Sequence, residues 1–189
     1  AERTSQLAVT ASRLQAILDA STQTMIVATN ADGIIDMFNT GAERLLGYDA
    51  SEVIGTQTPA LFHLHQEVKA YARCLKEKYG YSQTGVEAMY AHAIDGFHEQ
   101  RDWTYLGKSG QRITASLVIT PILNSDGKTQ GFLGVAHDVT EARRAHDRFR
   151  VLFEQSSDAH LLFNETGGII DCNNAAVTML RCDNKKHVL

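Results

Sequence analysis

Two short, largely apolar stretches near the start of the chain lie on either side of turn residues, a pattern typical of paired β-strands. Residues 24–29 and 34–38 are therefore predicted to be strands. Between them, residues 30–33 have the sequence Asn-Ala-Asp-Gly, which is typical of a tight turn. The pattern predicts a β-hairpin.

Helical signals follow the hairpin. Thr40 and Glu43 have the spacing of a capping box, and the helix that they begin is predicted to end at Gly47. A second short helix is predicted to stop at Gly55. Residues 66–78 carry apolar side chains at helical intervals and predict a third, longer helix.

The pattern changes to alternation between apolar and polar residues from about residue 99 onward. Trp103 and Tyr105 share one face of a predicted strand, and residues 131–137 form the last strand. The strand between them carries apolar residues on one face, namely Ile113, Ala115, Leu117 and Ile119. Two strands, a helix cluster and three more strands predict an α+β fold with short helices on one face of a sheet.

The predicted domain organisation has four parts. Residues 1–20 form an N-terminal amphipathic helix or linker, and residues 21–140 form a complete domain. Residues 141–155 form a connecting helix. Residues 156–189 form the truncated start of a second copy of the same domain.

The second copy is indicated by an internal repeat. A shift of 135 residues places Gly-Ile-Ile-Asp at residues 168–171 on the same sequence at residues 33–36, and Asn174 on Asn39. This copy contains only a hairpin and the start of a helix, which is too little to bury a core.

Composition limits the classes of function. The net charge is −4 and there is no basic stripe, so nucleic-acid binding is not expected. No run approaches the ~20 apolar residues of a membrane span, so we expect no membrane contact. Cys74, Cys172 and Cys182 are far apart, which indicates a reducing, cytoplasmic setting. The first residue is Ala1 instead of Met, and we expect the chain to be a piece of a longer protein.

Four motifs, in the correct order over about residues 13–145, resemble those of PAS domains in bacterial sensor histidine kinases and diguanylate cyclases. They are Ile34-Ile35-Asp36-Met37-Phe38-Asn39; Ala42-Glu43-Arg44-Leu45-Leu46-Gly47-Tyr48 with Glu52-Val53-Ile54-Gly55; Trp103-Thr104-Tyr105 with Lys108-Ser109-Gly110; and Gly131-Phe132-Leu133-Gly134-Val135-Ala136-His137-Asp138-Val139-Thr140-Glu141. The resemblance implies a five-stranded antiparallel sheet of order 2-1-5-4-3 that encloses a cavity for a small organic ligand or cofactor. It also implies a downstream signalling domain and a homodimer that pairs through flanking helices.

By the same resemblance, ten residues are expected to line the ligand pocket. They are Val27, Thr29, Trp103, Tyr105, Ala115, Leu117, Ile119, Phe132, Gly134 and Ala136. An apolar lining suits a ligand pocket and a filled core equally well. The resemblance favours ligand sensing, with the signal passed through the C-terminal helix to an output domain, expected to be a histidine kinase. The alternative function is a ligand-free dimerisation and protein-interaction module. No catalytic arrangement is present in the sequence, and we do not expect an enzyme.

Relatives of this fold bind flavin or haem, so these two are the candidate cofactors. Flavin photosensors of this fold carry an Asn-Cys-Arg motif and a glutamine where Ala136 stands, and neither occurs here; Cys74 is expected to be a half-buried helix residue. Flavin adenine dinucleotide bound without a covalent bond would use Trp103 as a stacking surface. Haem-binding relatives place a histidine near Ala70, whereas His63 is expected to be a solvated residue at a helix start.

The remaining histidines offer no metal site by their spacing. His65 lies beside the same helix start as His63. His92 and His98, with Asp95 and Glu99, do not match a tetrahedral ligand set, and we interpret them as loop residues.

Three residues are expected to transmit the signal. Asp138 and Thr140 can cap the exit helix, and Glu141 complements the dipole of its first turn. The hypothesis is that they join the last strand to the connecting helix, so that movement of the strand turns the helix.

Overall fold

A computed structural model describes residues 21–96 and 100–188. The chain divides into two compact units, with the boundary between Thr140 and Glu141. The helix or linker predicted for residues 1–20 lies outside the described residues.

The described residues of the first unit form a five-stranded antiparallel sheet. Its strands are β1 (Thr24–Asn30), β2 (Ile35–Phe38), β3 (Arg101–Leu106), β4 (Arg112–Leu123) and β5 (Thr129–Asp138). Their order is β2-β1-β5-β4-β3, which confirms the expected sheet. The first and last strands in the sequence pair along the whole of β1, from Thr24 opposite His137 to Asn30 opposite Gly131.

Between β2 and β3, the residues that the structure describes form four α-helices and one 3-10 turn. They are α1 (Thr40–Leu46), α2 (Ala50–Val53), the 3-10 turn Pro59–Leu61, α3 (His65–Tyr79) and α4 (Glu87–Ile94). Helix α4 was not predicted, because apolar residues occur on all of its sides and leave no amphipathic pattern. The helices and one face of the sheet enclose a core that includes Met25, Ile35 and Phe62.

The cap of α1 differs from the prediction. Asn39, not Thr40, is the N-cap, and its side-chain oxygen accepts a hydrogen bond from the N–H of Ala42 at 2.9 Å. Glu43 instead accepts a bond from the N–H of Ala50 at 2.7 Å, so it joins α1 to α2. The predicted end of α1 is confirmed, since Gly47 adopts the left-handed conformation with φ of 77°.

Loop backbone pairs with both outermost strands of the sheet. At β2, the N–H of Ile35 donates to Gln57 O, and Ile35 O accepts from the N–H of Gly55, each at 2.8 Å. At β3, the N–H of Leu106 donates to Phe62 O at 2.8 Å. Thr104 O accepts from the N–H of Leu64 at 3.1 Å, so the segment 62–64 runs beside β3.

The second unit is small. It consists of most of α5 (Thr140–Gln155), the hairpin β6 (Leu161–Phe163) and β7 (Ile169–Cys172), α6 (Asn174–Met179) and the 3-10 turn Lys185–His187. Its buried residues are few and include Phe153, Cys172, Asn173 and Ala176. Leu152 and Met179 are exposed by 73% and 68%, so much of its apolar surface is uncovered.

The repeat between the two units has an offset of 134 residues, and the predicted offset of 135 is wrong by one. Asn173, not Asn174, corresponds to Asn39, because each is the N-cap of the helix after its hairpin. The turn glycines with positive φ are Gly33 and Gly167, at 79° and 83°. The identical Gly-Ile-Ile-Asp sequences had favoured Gly168 as the counterpart of Gly33. A shift of one residue matters because it assigns every strand residue to the wrong face of the sheet.

Candidate functional site

A cavity of about 40 Å³ lies between the helix-covered face of the sheet and the helices. Eight of the ten predicted pocket residues line it, namely Val27, Thr29, Tyr105, Leu117, Ile119, Phe132, Gly134 and Ala136. The strand alternation that predicted them places them on one face. The seven lining residues that were not predicted are Met25, Pro59, Phe62, His63, Val86, Met89 and Tyr90. Met25 shares the parity of Val27, but the other six come from helices and loops whose placement depends on tertiary packing.

Two predicted pocket residues lie elsewhere. Ala115 is fully buried in the core and does not line this cavity. Trp103 borders a second, smaller cavity of about 20 Å³. Its ring packs edge-on against Tyr71 with centroids 5.2 Å apart, and the Arg101 guanidinium lies 5.2 Å from its centroid. The arginine already covers the indole, which leaves Trp103 poorly placed to stack on a flavin.

Three side chains separate the two cavities. Met89, Leu117 and Ile119 line both of them. Methionine is unbranched and changes rotamer easily, so Met89 is the most adaptable part of this partition.

His63 is buried, with 6% of its surface exposed, and the expectation of a solvated histidine is wrong. It lies in the segment that runs beside β3, which turns its ring inward against Tyr105 at a centroid distance of 4.7 Å. Its Nδ1 is 2.8 Å from Pro59 O. Because a carbonyl only accepts hydrogen bonds, Nδ1 carries the proton and Nε2 is left as an acceptor. Burial lowers the pKa of His63 to about 4, so the ring is neutral.

Three buried polar atoms belong to residues that line this apolar space. They are Thr29 Oγ1, His63 Nε2 and the Tyr90 hydroxyl oxygen, and within the described residues none has a hydrogen-bond partner of standard geometry. The Tyr90 ring stacks on Phe132 with centroids 4.1 Å apart. Burial raises the pKa of Tyr90 to about 12, while the nearby Thr29 hydroxyl acts in the opposite direction. All three groups are therefore uncharged at neutral pH.

The residues expected to transmit a signal lie where β5 leads into α5. Asp138 Oδ1 accepts a bond from the N–H of Thr140 at 2.8 Å. The Thr140 hydroxyl oxygen accepts from the N–H of Thr114 in β4, also at 2.8 Å. Glu141 is exposed and pairs with Arg144 at 3.1 Å. The first two residues join sheet and helix; their role in signalling stays a prediction.

Comparison with known families supports the resemblance seen in the sequence. A family model described as "PAS domain" matches residues 22–141, and a second with the same description matches residues 147–189. The chain belongs to the PAS domain family. It is thus a PAS sensory domain followed by part of another.

Relatives and solved structures agree with this assignment. Two-component system protein A of Emericella nidulans is 32% identical over 130 residues, which cover 66% of this chain. The chain spans only 16% of the length of that relative. The PAS domain of a Colwellia psychrerythraea protein has 22% identity and a TM-score of 0.51, covering 70% of this chain and 98% of its own. That of an HTR-like protein from Haloarcula marismortui has 25% identity and a TM-score of 0.50, with coverage of 72% and 98%.

The cavity of this PAS domain does not fit the larger cofactors. Pockets for drug-sized ligands measure roughly 300–1,000 Å³, several times the volume found here. Ala70, where haem-binding relatives carry a histidine, is exposed on α3. Cys74 is also exposed on α3 and is not half-buried as expected. Neither haem nor flavin adenine dinucleotide therefore matches the residues and space present.

No metal site is formed by the described part of the chain, which contains no cluster of three or more suitable side chains. His92 is not a loop residue as expected: it lies in α4, buried, with Nδ1 2.8 Å from the Tyr71 hydroxyl. His98 and Glu99 lie outside the described residues. Among the helices of the described residues, none has the length and apolarity needed to cross a membrane.

Proposed function

We propose that this PAS domain is a sensor that binds a small, uncharged organic ligand in the cavity. The observation that carries the proposal is the convergence of Thr29, His63 and Tyr90 on an otherwise apolar space. A buried polar group without a partner costs about 1–3 kcal/mol. A ligand that supplies the missing hydrogen bonds recovers part of this cost, and it therefore favours the conformation in which it is bound.

The size of the cavity agrees with a ligand-dependent change. At about 40 Å³ it accepts only a very small molecule without rearrangement. A larger ligand would move Met89 and join the two adjacent spaces. Occupancy would then alter the packing of α4 on β4, since Leu117 and Ile119 of β4 line both cavities.

The proposed route of the signal runs along β5. Phe132, Gly134 and Ala136 line the cavity, and two residues after Ala136 the strand reaches Asp138. Asp138 and Thr140 then link the strands to the first turn of α5. A shift of β5 would in this way change the position at which α5 begins.

The output lies in a longer chain. Because a homologous relative is a two-component system protein, we propose that a downstream signalling domain, such as a histidine kinase, follows the two PAS segments. This chain would itself carry no catalytic activity. The three free cysteines support a reducing, cytoplasmic location.

A second candidate function is dimerisation without a ligand. Residues Ala142, Ala145, Phe149 and Leu152 recur on α5 at the spacing of a heptad seam, and all four are exposed. Phe149 and Leu152 are exposed by 54% and 73%. We propose that this seam pairs with a second copy of the chain. A homodimer of this kind is compatible with sensing, and it would also function if the cavity were only a packing defect.

A matched pair of variants tests ligand binding. Gly134→Ala adds one methyl group toward Leu117 with an ordinary contact of 3.4 Å, and so fills the cavity without a clash. Val135→Ile adds one methyl group on the opposite face of the same strand. Native mass spectrometry before and after solvent extraction should detect a co-purified small molecule in the wild type and in Val135→Ile, and much less in Gly134→Ala.

The same samples, together with a Leu152→Glu variant, distinguish ligand sensing from dimerisation without a ligand. If no small molecule is found in any sample, while Leu152→Glu converts a dimer to monomer in light scattering, dimerisation alone is the function. Equal ligand content in all three samples would place the ligand outside the cavity.

A further inference from the structure

We infer that the cavity selects a neutral ligand with a hydrogen-bond donor, and that His63 Nε2 is the acceptor that recognises this donor. The inference rests on the proposed function, because it assumes that a ligand enters the cavity. The inference adds the chemical class of the ligand and names the residue that recognises the ligand.

The acceptor is held in place before a ligand arrives. Pro59 O fixes the tautomer of His63, and the backbone on either side of His63 is bonded to β3. The ring also packs against Phe62 and Tyr105, at centroid distances of 5.3 and 4.7 Å. Because Nε2 cannot turn toward solvent without breaking these contacts, little freedom is lost on binding, and preorganised groups of this kind give affinity.

The lack of charged side chains around the cavity favours a neutral ligand. Every residue that lines the cavity is uncharged when His63 is neutral. The carboxylate nearest to His63 in the sequence, Glu67, is already bonded to the N–H and hydroxyl of Thr104, at 2.7 and 2.6 Å. An ion would lose its hydration without gaining a partner of opposite charge, which is strongly unfavourable. A carboxylate would in addition face the lone pair of Nε2.

The hydroxyls of Thr29 and Tyr90 complete the recognition. Each can donate or accept a hydrogen bond, so they adapt to either kind of ligand atom. Nε2 has no proton and can only accept. The requirement for a donor therefore comes from His63 alone, and it is the specific property of this cavity.

His63 also borders a second space beside the cavity. Together with Val86 it lines a neighbouring cleft of about 210 Å³, which is bordered by His65 and Glu87. The two residues thus separate the cleft from the cavity. A ligand that enters from this cleft would pass between these two residues.

Phenol and toluene distinguish recognition by His63 from simple burial. Both are neutral six-membered rings with one heavy substituent, but only phenol can donate a hydrogen bond. A ring of this size occupies a space of about 150 Å³, so binding requires Met89 to move. Benzoate serves as the anionic comparison.

The experiment is a titration of the purified chain, labelled with ¹⁵N, with each of the three compounds. We expect phenol to bind about tenfold more tightly than toluene and to shift the Nε2 resonance of His63, with no binding of benzoate. His63→Phe keeps an aromatic ring but lacks the acceptor, and should bind both rings equally. His63→Gln, which restores an acceptor, should regain part of the preference, and His65→Gln should keep all of it.

The outcomes separate this inference from the proposed function. Equal affinity for phenol and toluene in the wild type, an unchanged preference in His63→Phe, or tight binding of benzoate would overturn the role of His63 and leave a ligand-binding cavity in place. If neither ring binds, or if Gly134→Ala does not weaken binding, the cavity is not a ligand site and both proposals are wrong. If His63→Phe does not fold, the ¹⁵N shift in the wild type still decides.

Discussion

The hydroxyl oxygen of Thr140 accepts a 2.8 Å hydrogen bond from the backbone N–H of Thr114. Thr114 lies in β4 and Thr140 is the first residue of α5, so this bond ties an interior strand to the helix that leaves the sheet. A second bond, from the N–H of Val139 to Thr114 O at 2.8 Å, lies beside it. The start of α5 is thus fixed to β4 as well as to the strand that precedes it.

Replacing Thr140 by valine keeps the shape of the side chain and removes the acceptor. We expect the free energy of unfolding to fall by about 1–2 kcal/mol, because the N–H of Thr114 loses its partner. Thr140→Ser retains the hydroxyl and should stay close to the wild type. Urea denaturation of the three proteins measures the difference. Equal midpoints for Thr140→Val and the wild type would show that this bond contributes nothing to stability.

Asp138→Ala tests transmission. Asp138 is exposed and accepts one bond, from the N–H of Thr140, so we expect the domain to stay folded with a loss of about 1 kcal/mol or less. In the full-length protein, ligand binding should no longer change the output. Asp138→Asn keeps the acceptor and should respond normally. A normal response of Asp138→Ala in the same assay would contradict the transmission role.

The pKa of His63 predicts how stability depends on pH. Burial lowers this pKa from 6.5 to about 4, so between these values the unfolded chain binds more protons than the folded one. Stability from this residue is complete above pH 6.5 and is lost as the pH falls toward 4, by up to about 3 kcal/mol. Urea denaturation of the wild type between pH 4.5 and 7.5 measures the slope.

The controls for this pH prediction are variants of the two neighbouring histidines. His63→Phe should flatten the slope, and His65→Gln should keep it. The other titratable groups near His63 are Glu67 on α3, Tyr105 on β3, and Glu87 and Tyr90 on α4. They are unchanged in both variants. An equal slope in His63→Phe and the wild type would assign the pH dependence to other groups.

Asn39→Ala should destabilise the first unit by about 3 kcal/mol or more. The Asn39 oxygen accepts from the N–H groups of Ile26 and Ala42, both at 2.9 Å, and its nitrogen donates to Thr24 O at 3.0 Å, all at 3% exposure. Asn124 also accepts two backbone N–H bonds, but in a half-exposed turn where water can replace them. Thermal denaturation of Asn39→Ala and Asn124→Ala provides the comparison. Similar losses in the two variants would mean that burial does not strengthen the network.

Much of the fold follows from local patterns in the sequence. Apolar stretches beside turn residues predicted the first two strands of the first sheet, alternation predicted the strands after residue 99, and the strand order came from the family resemblance. Helix α4 was not predicted, because its apolar residues lie on every side of the helix and leave no amphipathic pattern. The two copies of the repeat were aligned with an error of one residue, because both Gly167 and Gly168 can be matched to Gly33. Only the backbone conformation distinguishes these two glycines.

The residues of the candidate site were also predictable only in part from the sequence. Strand parity predicted the residues that the sheet contributes to the cavity, such as Thr29 and Gly134. His63 was misjudged because its burial depends on pairing between the segment 62–64 and β3, about 40 residues further along the chain. Such contacts leave no local pattern. Trp103 was expected to line the ligand pocket, but it borders the neighbouring space, on the other side of Met89, Leu117 and Ile119.

The backbone pairing at the outermost strands has a consequence for how copies of this protein can associate. Exposed strand edges recruit strands from other molecules and lead to β-aggregation or augmentation. Here the chain's own loops engage Ile35 at one margin and Thr104 and Leu106 at the other. Extension of this five-stranded sheet from molecule to molecule would first have to displace these loops.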